Sequence, residues 1–241
     1  MTLVSQPAAA DEAPRSAKGE QTRALIVETA LRLFRERGYE ATTMRSIAQE
    51  AGVSVGNAYY YFASKEHLVQ AYYDRMQELH FAASRDVLAR ETDFAARLRG
   101  VMFAWAETAL PYHAFAGKFF KHAAEPSSPL SPFSAESAPA RAASTDIFRE
   151  VVEGSDAKVD AQLRADLPDL LWLYHMGVVL FWVHDQSPDA SRTLLMIDRT
   201  VALIARLVRL SRLPVLRSTA REMVALGRDL AGRPPPPPPP S

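Results

Sequence analysis

From Glu20 to Leu110 apolar residues recur three and four positions apart, the period of a helix buried along one side. Alternating runs of β-branched residues are absent, and no proline falls between Arg15 and Leu110. Ile26, Ala30, Leu33 and Phe34 predict a first helix stopped by Gly38, and Met44, Ile47, Ala48 and Ala51 a second stopped by Gly52. A short third runs from Ser54 to about Phe62. A fourth starts at Ser64, a good N-cap with Glu66 in its first turn, and reaches about Arg90. Beyond it the prolines set the boundaries. Helices are expected at Phe94–Leu110, Pro111–His122, Pro139–Glu153, Leu167–Asp185, Pro188–Arg212 and Val215–Ala231, with a long loop over Glu125–Pro139.

The pattern is all-α, and composition agrees with a packed chain: 48% of the 241 residues are apolar and 23% charged. Lys plus Arg equals Asp plus Glu at 28 each, so no global basic excess draws the chain to nucleic acid. The charge is uneven, however, with eight basic against five acidic residues between Arg15 and Lys65. Absence of cysteine excludes disulfides, thiolate catalysis and cysteine-based zinc sites. Met1–Lys18 lacks a basic start followed by an apolar run, so no secretory signal is expected there. The most apolar stretch, Leu170–Val183, is shorter than the roughly 20 residues of a membrane span. A soluble, cytoplasmic protein is expected.

The chemistry is concentrated in Ala41–Phe62. Gly52 supplies the left-handed turn between two short helices, Val53 plugs their angle and Ser54 caps the second. Ala58 and Phe62 then face inward, leaving Val55, Gly56, Asn57 and Tyr60 outward. Small residues at that helix start allow close approach to a groove, and the run Tyr59-Tyr60-Tyr61 offers hydroxyls to phosphate oxygens. Thr43 and Lys65 flank the same surface. Asn57 can pair with adenine in bidentate fashion, and Val55 can touch a thymine methyl.

These residues resemble the TetR family of bacterial regulators. The likeness runs from Arg23 through Ala30-Leu31-Arg32-Leu33-Phe34, Gly38-Tyr39, Thr42-Thr43-Met44-Arg45 and Ile47-Ala48. It continues through Ala51-Gly52-Val53-Ser54 and Tyr59-Tyr60-Tyr61-Phe62 to Ser64-Lys65-Glu66, and so covers about Glu20 to Leu68. The resemblance implies that Thr43, Arg45, Tyr59, Tyr60 and Lys65 hold the DNA backbone while Ser54, Val55, Gly56 and Asn57 lie at base edges. It also implies a small-molecule site in the C-terminal domain and a dimer built from that domain's last two long helices.

Four segments are therefore expected: a disordered arm (1–19), a three-helix DNA-binding domain (20–66), a larger helical effector and dimerisation domain (67–231) and a polyproline tail (232–241). Dimerisation is expected from Leu173, Gly177 and Phe181 on one helix and Leu194, Ile197, Val201, Ile204 and Val208 on the next. Leu195, Leu203, Leu207 and Leu210 form a second stripe on that helix, which can thus meet both its own core and a partner. Trp105, Tyr112, His113, Phe119, His122, Trp172 and His175 are candidate ligand contacts. No cofactor or metal is expected, because the histidines lack ligand spacing. Nucleophile-elbow, His-Glu-x-x-His and phosphate-loop motifs are absent, which argues against an enzyme. The expected function is a repressor released from a near-palindromic operator by an apolar or amphipathic ligand. The alternative is a DNA-binding regulator that is constitutive or controlled by a protein.

Overall fold

The computed structural model describes residues 17–125 and 127–211, which contain helices and no strand. The expected helix Val215–Ala231, the polyproline tail and residues 1–16 of the expected arm lie outside the described residues. The chain divides into two compact units, Met1–Lys65 and Glu66–Ser241.

In the first unit, α1 (Ala17–Arg37) begins inside the expected arm and turns Ile26, Ala30, Leu33 and Phe34 fully inward. Gly38 ends it at φ +86°, a left-handed conformation that costs glycine little. Thr43 opens α2 (Met44–Glu50) with a reciprocal cap: its Oγ1 accepts from the Ser46 amide at 3.1 Å, and its own amide donates to Ser46 Oγ at 3.0 Å. Gly52, at φ +67°, makes the turn to α3 (Val55–Tyr61), whose N-cap Ser54 accepts from the Asn57 amide at 3.1 Å. Glu50 receives Arg32 at 3.0 Å and Arg37 at 2.9 Å, tying the end of α2 to α1.

The second unit is built on α4 (Lys65–Arg90), whose first residue closes the first unit, and α5 (Phe94–Ala109). A 3₁₀ turn at Leu110–Tyr112, with Pro111 in its first turn, leads to α6 (His113–Ala123). Then follow α7 (Ala138–Glu153), α8 (Ala161–His184), a second 3₁₀ turn (Pro188–Ala190) and α9 (Ser191–Leu210). α5 packs on both α7 and α9, and α8 on α7, α6 and α9. Arg97 joins two helix ends that would otherwise leave buried carbonyls unpaired. Its guanidinium donates to Leu88 O and Glu91 O at the end of α4 and to Glu150 O at the end of α7, each at 2.6 Å, and Nε donates to Val151 O at 3.2 Å.

Two expectations need correction. α8 starts at Ala161 rather than Leu167, because Asp160 caps the Leu163 amide at 2.9 Å and Pro168 is carried inside the helix. On α9, Ile197, Val201 and Val208 are buried within their own protomer, which takes them out of any partner-facing surface. Leu194 and Ile204 are half-buried. The stripe left in solvent is the second one, Leu195, Leu203, Leu207 and Leu210; on α8, Leu180 and Phe181 are exposed as well.

Candidate nucleic-acid interface and effector cavity

The cap, the glycine turn and the inward anchors Ala58 (0% exposed) and Phe62 fix which side of α3 meets water. Tyr60 is 82% exposed, Tyr59 and Val55 are exposed, Gly56 is open, and Asn57 is half-buried. The Tyr60 ring stands edge-on to Tyr61 at 5.2 Å, which limits its motion without covering its hydroxyl. Thr43 and Arg45 are exposed at the start of α2. Lys65 is half-buried, its ammonium donating to Tyr39 O at 2.8 Å and lying 4.3 Å from that ring's centre. It keeps two further N–H donors in a fixed place. The Arg23 guanidinium of α1 lies 5.2 Å from the centre of the Phe62 ring, an internal contact for that charge.

The second unit contains a cavity of about 530 Å³ that is partly open to solvent. Of the expected ligand contacts, Trp105, Phe119, Trp172 and His175 line it. Tyr112, His113 and His122 do not: Tyr112 packs on Tyr72 at 5.2 Å, His113 Nε2 bonds Trp182 O at 2.7 Å, and His122 lies 5.9 Å from Phe119. Leu173 and Gly177, expected at a dimer face, also line this cavity, Gly177 while remaining exposed. All three tryptophans of the chain, Trp105, Trp172 and Trp182, are in the wall.

His175 is a fully enclosed polar group there. Its ring stands 4.8 Å from Trp105, 5.6 Å from Phe148 and 6.1 Å from His80, and neither ring nitrogen has a partner. Burial, with a smaller contribution from His80, pushes its pKa down to about 3, so it is a neutral imidazole with one donor and one acceptor. His80 bonds Val101 O at 2.9 Å and is lowered by burial to about 4. No cluster of three metal-ligating side chains occurs among the described residues.

Sequence reasoning missed two walls: Tyr72, Tyr73, Met76 and Gln77 of α4, and Arg141 and Ser144 of α7. The three-four spacing of Tyr72, Tyr73 and Met76 was visible but reads equally as plain core.

Residues 97–226 match the domain described as "Tetracyclin repressor-like, C-terminal domain", and residues 26–72 that described as "Bacterial regulatory proteins, tetR family". The chain belongs to the TetR family of transcriptional regulators. The HTH-type transcriptional repressor KstR2 of Mycobacterium tuberculosis is 37% identical over 89 residues, 37% of this chain and 44% of that protein. The HTH-type transcriptional regulator TtgR of Pseudomonas putida is 42% identical over 76 residues, 32% of this chain and 34% of that protein. The match thus spans less than half the length of either relative. A TetR regulator from Nitrosomonas europaea has the same fold, with a TM-score of 0.60 at 18% identity over 76% of this chain and 97% of that one. No helix among the described residues is long and apolar enough to cross a membrane.

Proposed function

We propose that this TetR-family chain is a cytoplasmic, sequence-specific DNA-binding repressor that a small apolar or amphipathic ligand releases from its operator. The observation that carries the reading is the α3 face: Val55, Gly56, Asn57 and Tyr60 outward on a helix anchored from behind by Ala58 and Phe62. Placed in a major groove, Asn57 presents its amide to a base edge and Val55 its methyls, with Gly56 and Ser54 allowing close approach. Thr43, Arg45, Tyr59, Tyr60 and Lys65 are proposed to meet phosphates around it.

A homodimer supplies the second reading helix, on half-sites about 34–36 Å apart or a multiple of that. The exposed leucines of α9, with Leu180 and Phe181, are the apolar surface that supports it. The cavity of the second unit supports a ligand, and the ligand acts by binding the DNA-free state more tightly.

The test is fluorescence anisotropy of the full chain on DNA from the neighbouring promoter. Nanomolar, salt-sensitive binding is expected, weakened by Tyr60→Ala and by Asn57→Ala. Equal affinity of both variants and the parent for that DNA counts against the interface. Intact DNA binding that no small molecule displaces leaves the constitutive or protein-controlled regulator.

A further inference from the structure

The walls of the cavity are mostly aromatic and aliphatic, yet its polar groups are ordered from one end to the other. Arg141, half-buried on α7, is the one charged side chain among the described lining residues; no Asp, Glu or Lys joins it. Its Nη1 donates to Pro132 O at 2.7 Å and Ser134 O at 3.1 Å, and its guanidinium carbon lies 6.0 Å from the Trp172 ring centre. Those bonds fix the guanidinium in place. Among the described residues it forms no ion pair, and its Nε and Nη2 hydrogens are unused.

One turn further along α7 comes Ser144, 2% exposed, whose hydroxyl has no partner. Another turn on, Phe148 meets His175, which brings two more unpartnered polar atoms into the wall. Gln77 Oε1 and the Trp182 indole N–H are likewise buried without partners. Buried polar atoms left unpaired cost about 1–3 kcal/mol each, so several around one cavity point to an occupant that carries oxygen. A cation has no carboxylate to meet there and would face Arg141.

We infer that the effector is an apolar carboxylate: its anionic end sits on Arg141, its hydrocarbon body lies among the tryptophan and phenylalanine rings, and a second, uncharged oxygen meets Ser144 and His175. This deepens the proposed effector role of the cavity and rests on it. An Arg fork held by backbone carbonyls presents paired N–H groups to a carboxylate, a charge-assisted contact stronger than any neutral alternative in the same wall. A neutral imidazole and a hydroxyl can take either a hydroxyl or a keto oxygen further in.

Because every tryptophan of the chain lines the cavity, intrinsic fluorescence of the full-length protein reads occupancy directly. The probes are decanoate, decanol, decylamine and ω-hydroxydecanoate, which share a chain and absorb no exciting light. Decanoate is expected to bind about tenfold more tightly than decanol, and decylamine more weakly than either. ω-Hydroxydecanoate is expected to match or exceed decanoate, although an unmet hydroxyl would weaken it about tenfold.

Arg141→Met should abolish the preference for decanoate over decanol while decanol still binds. Arg141→Lys should retain the preference in part, which guards against a Met variant whose loop has collapsed. Binding of decanol or decylamine as tight as decanoate overturns the carboxylate, as does an unchanged order in Arg141→Met. A tenfold loss with ω-hydroxydecanoate overturns the inner oxygen. Promoter anisotropy with the same probes separates the two levels: Arg141-dependent binding that leaves DNA bound sinks the regulatory reading and keeps the site.

Discussion

Tyr60 gives most of its ring to solvent while Ala58, two residues earlier, gives none, and that contrast assigns the roles proposed for α3. Tyr60→Ala removes the proposed phosphate hydrogen bond and should cost about 1 kcal/mol of DNA affinity whatever the sequence. Asn57→Ala should cost about 1–3 kcal/mol and relax preference at a single base pair, read by competition among operators that vary one position at a time. His175 gives a different residue-scale expectation. It is neutral when folded, with a pKa near 3, and takes a proton near 6.5 when unfolded. Its favourable state is therefore held above pH 6.5 and is lost as pH falls from there towards 3. Between those limits it should remove roughly 1.4 kcal/mol of stability per pH unit, so urea melts of His175→Leu should decline less steeply with acid than those of the parent. Equal slopes would mean that the imidazole is not neutral in the fold.

At the scale of elements, what the sequence disclosed depended on how local the cause was. Gly52 and Ser54 determine the turn and the cap of α3 within a few residues, so the outward face could be read directly. The stripes of α9 could not be assigned so easily. Ile197 and Val201 repeat at the same spacing as Leu203 and Leu207, and only the approach of α5 decides which stripe is covered. Pro168 suggested a helix start, but Asp160 had already capped one. The α4 and α7 walls of the cavity stayed hidden because nothing in their spacing says that these helices meet around a void. The turn between α8 and α9 yields a prediction. Burial pushes the Asp185 carboxyl up, but hydrogen bonds from the hydroxyls and amides of Ser187 and Thr193 together outweigh it and hold it at about 2. Its stabilising effect is thus complete above pH 4 and lost as pH falls towards 2. Asp185→Ala should cost about 1–2 kcal/mol in denaturant melts at neutral pH and much less at pH 2.

On the scale of the whole molecule, α8 and α9 leave Leu180, Phe181, Leu195, Leu203, Leu207 and Leu210 in solvent, six of the exposed large apolar side chains among the described residues. Leu203→Glu combined with Leu207→Glu should convert a dimer to monomers in sedimentation velocity while near-full helicity is kept. Operator affinity should then fall by orders of magnitude, because two half-sites are no longer joined. Unaltered sedimentation would move the dimer surface elsewhere.

The Arg97 fastening has a mechanical consequence. It secures the far end of α4 to the end of α7 with four bonds, whereas near the other end Gln70 donates to Pro129 O at 2.9 Å and Ser137 Oγ at 3.1 Å, and Tyr73 to Leu130 O at 3.1 Å. A helix fastened more firmly towards one tip, by Arg97 and by the His80 bond to Val101 O, moves furthest at the opposite one. Over the 26 residues of α4, about 39 Å of helix, a rotation of about 5° around the Arg97 pivot carries the first turn roughly 3 Å. Small adjustments of the cavity wall would thus be amplified at the point where the chain passes from one unit into the other.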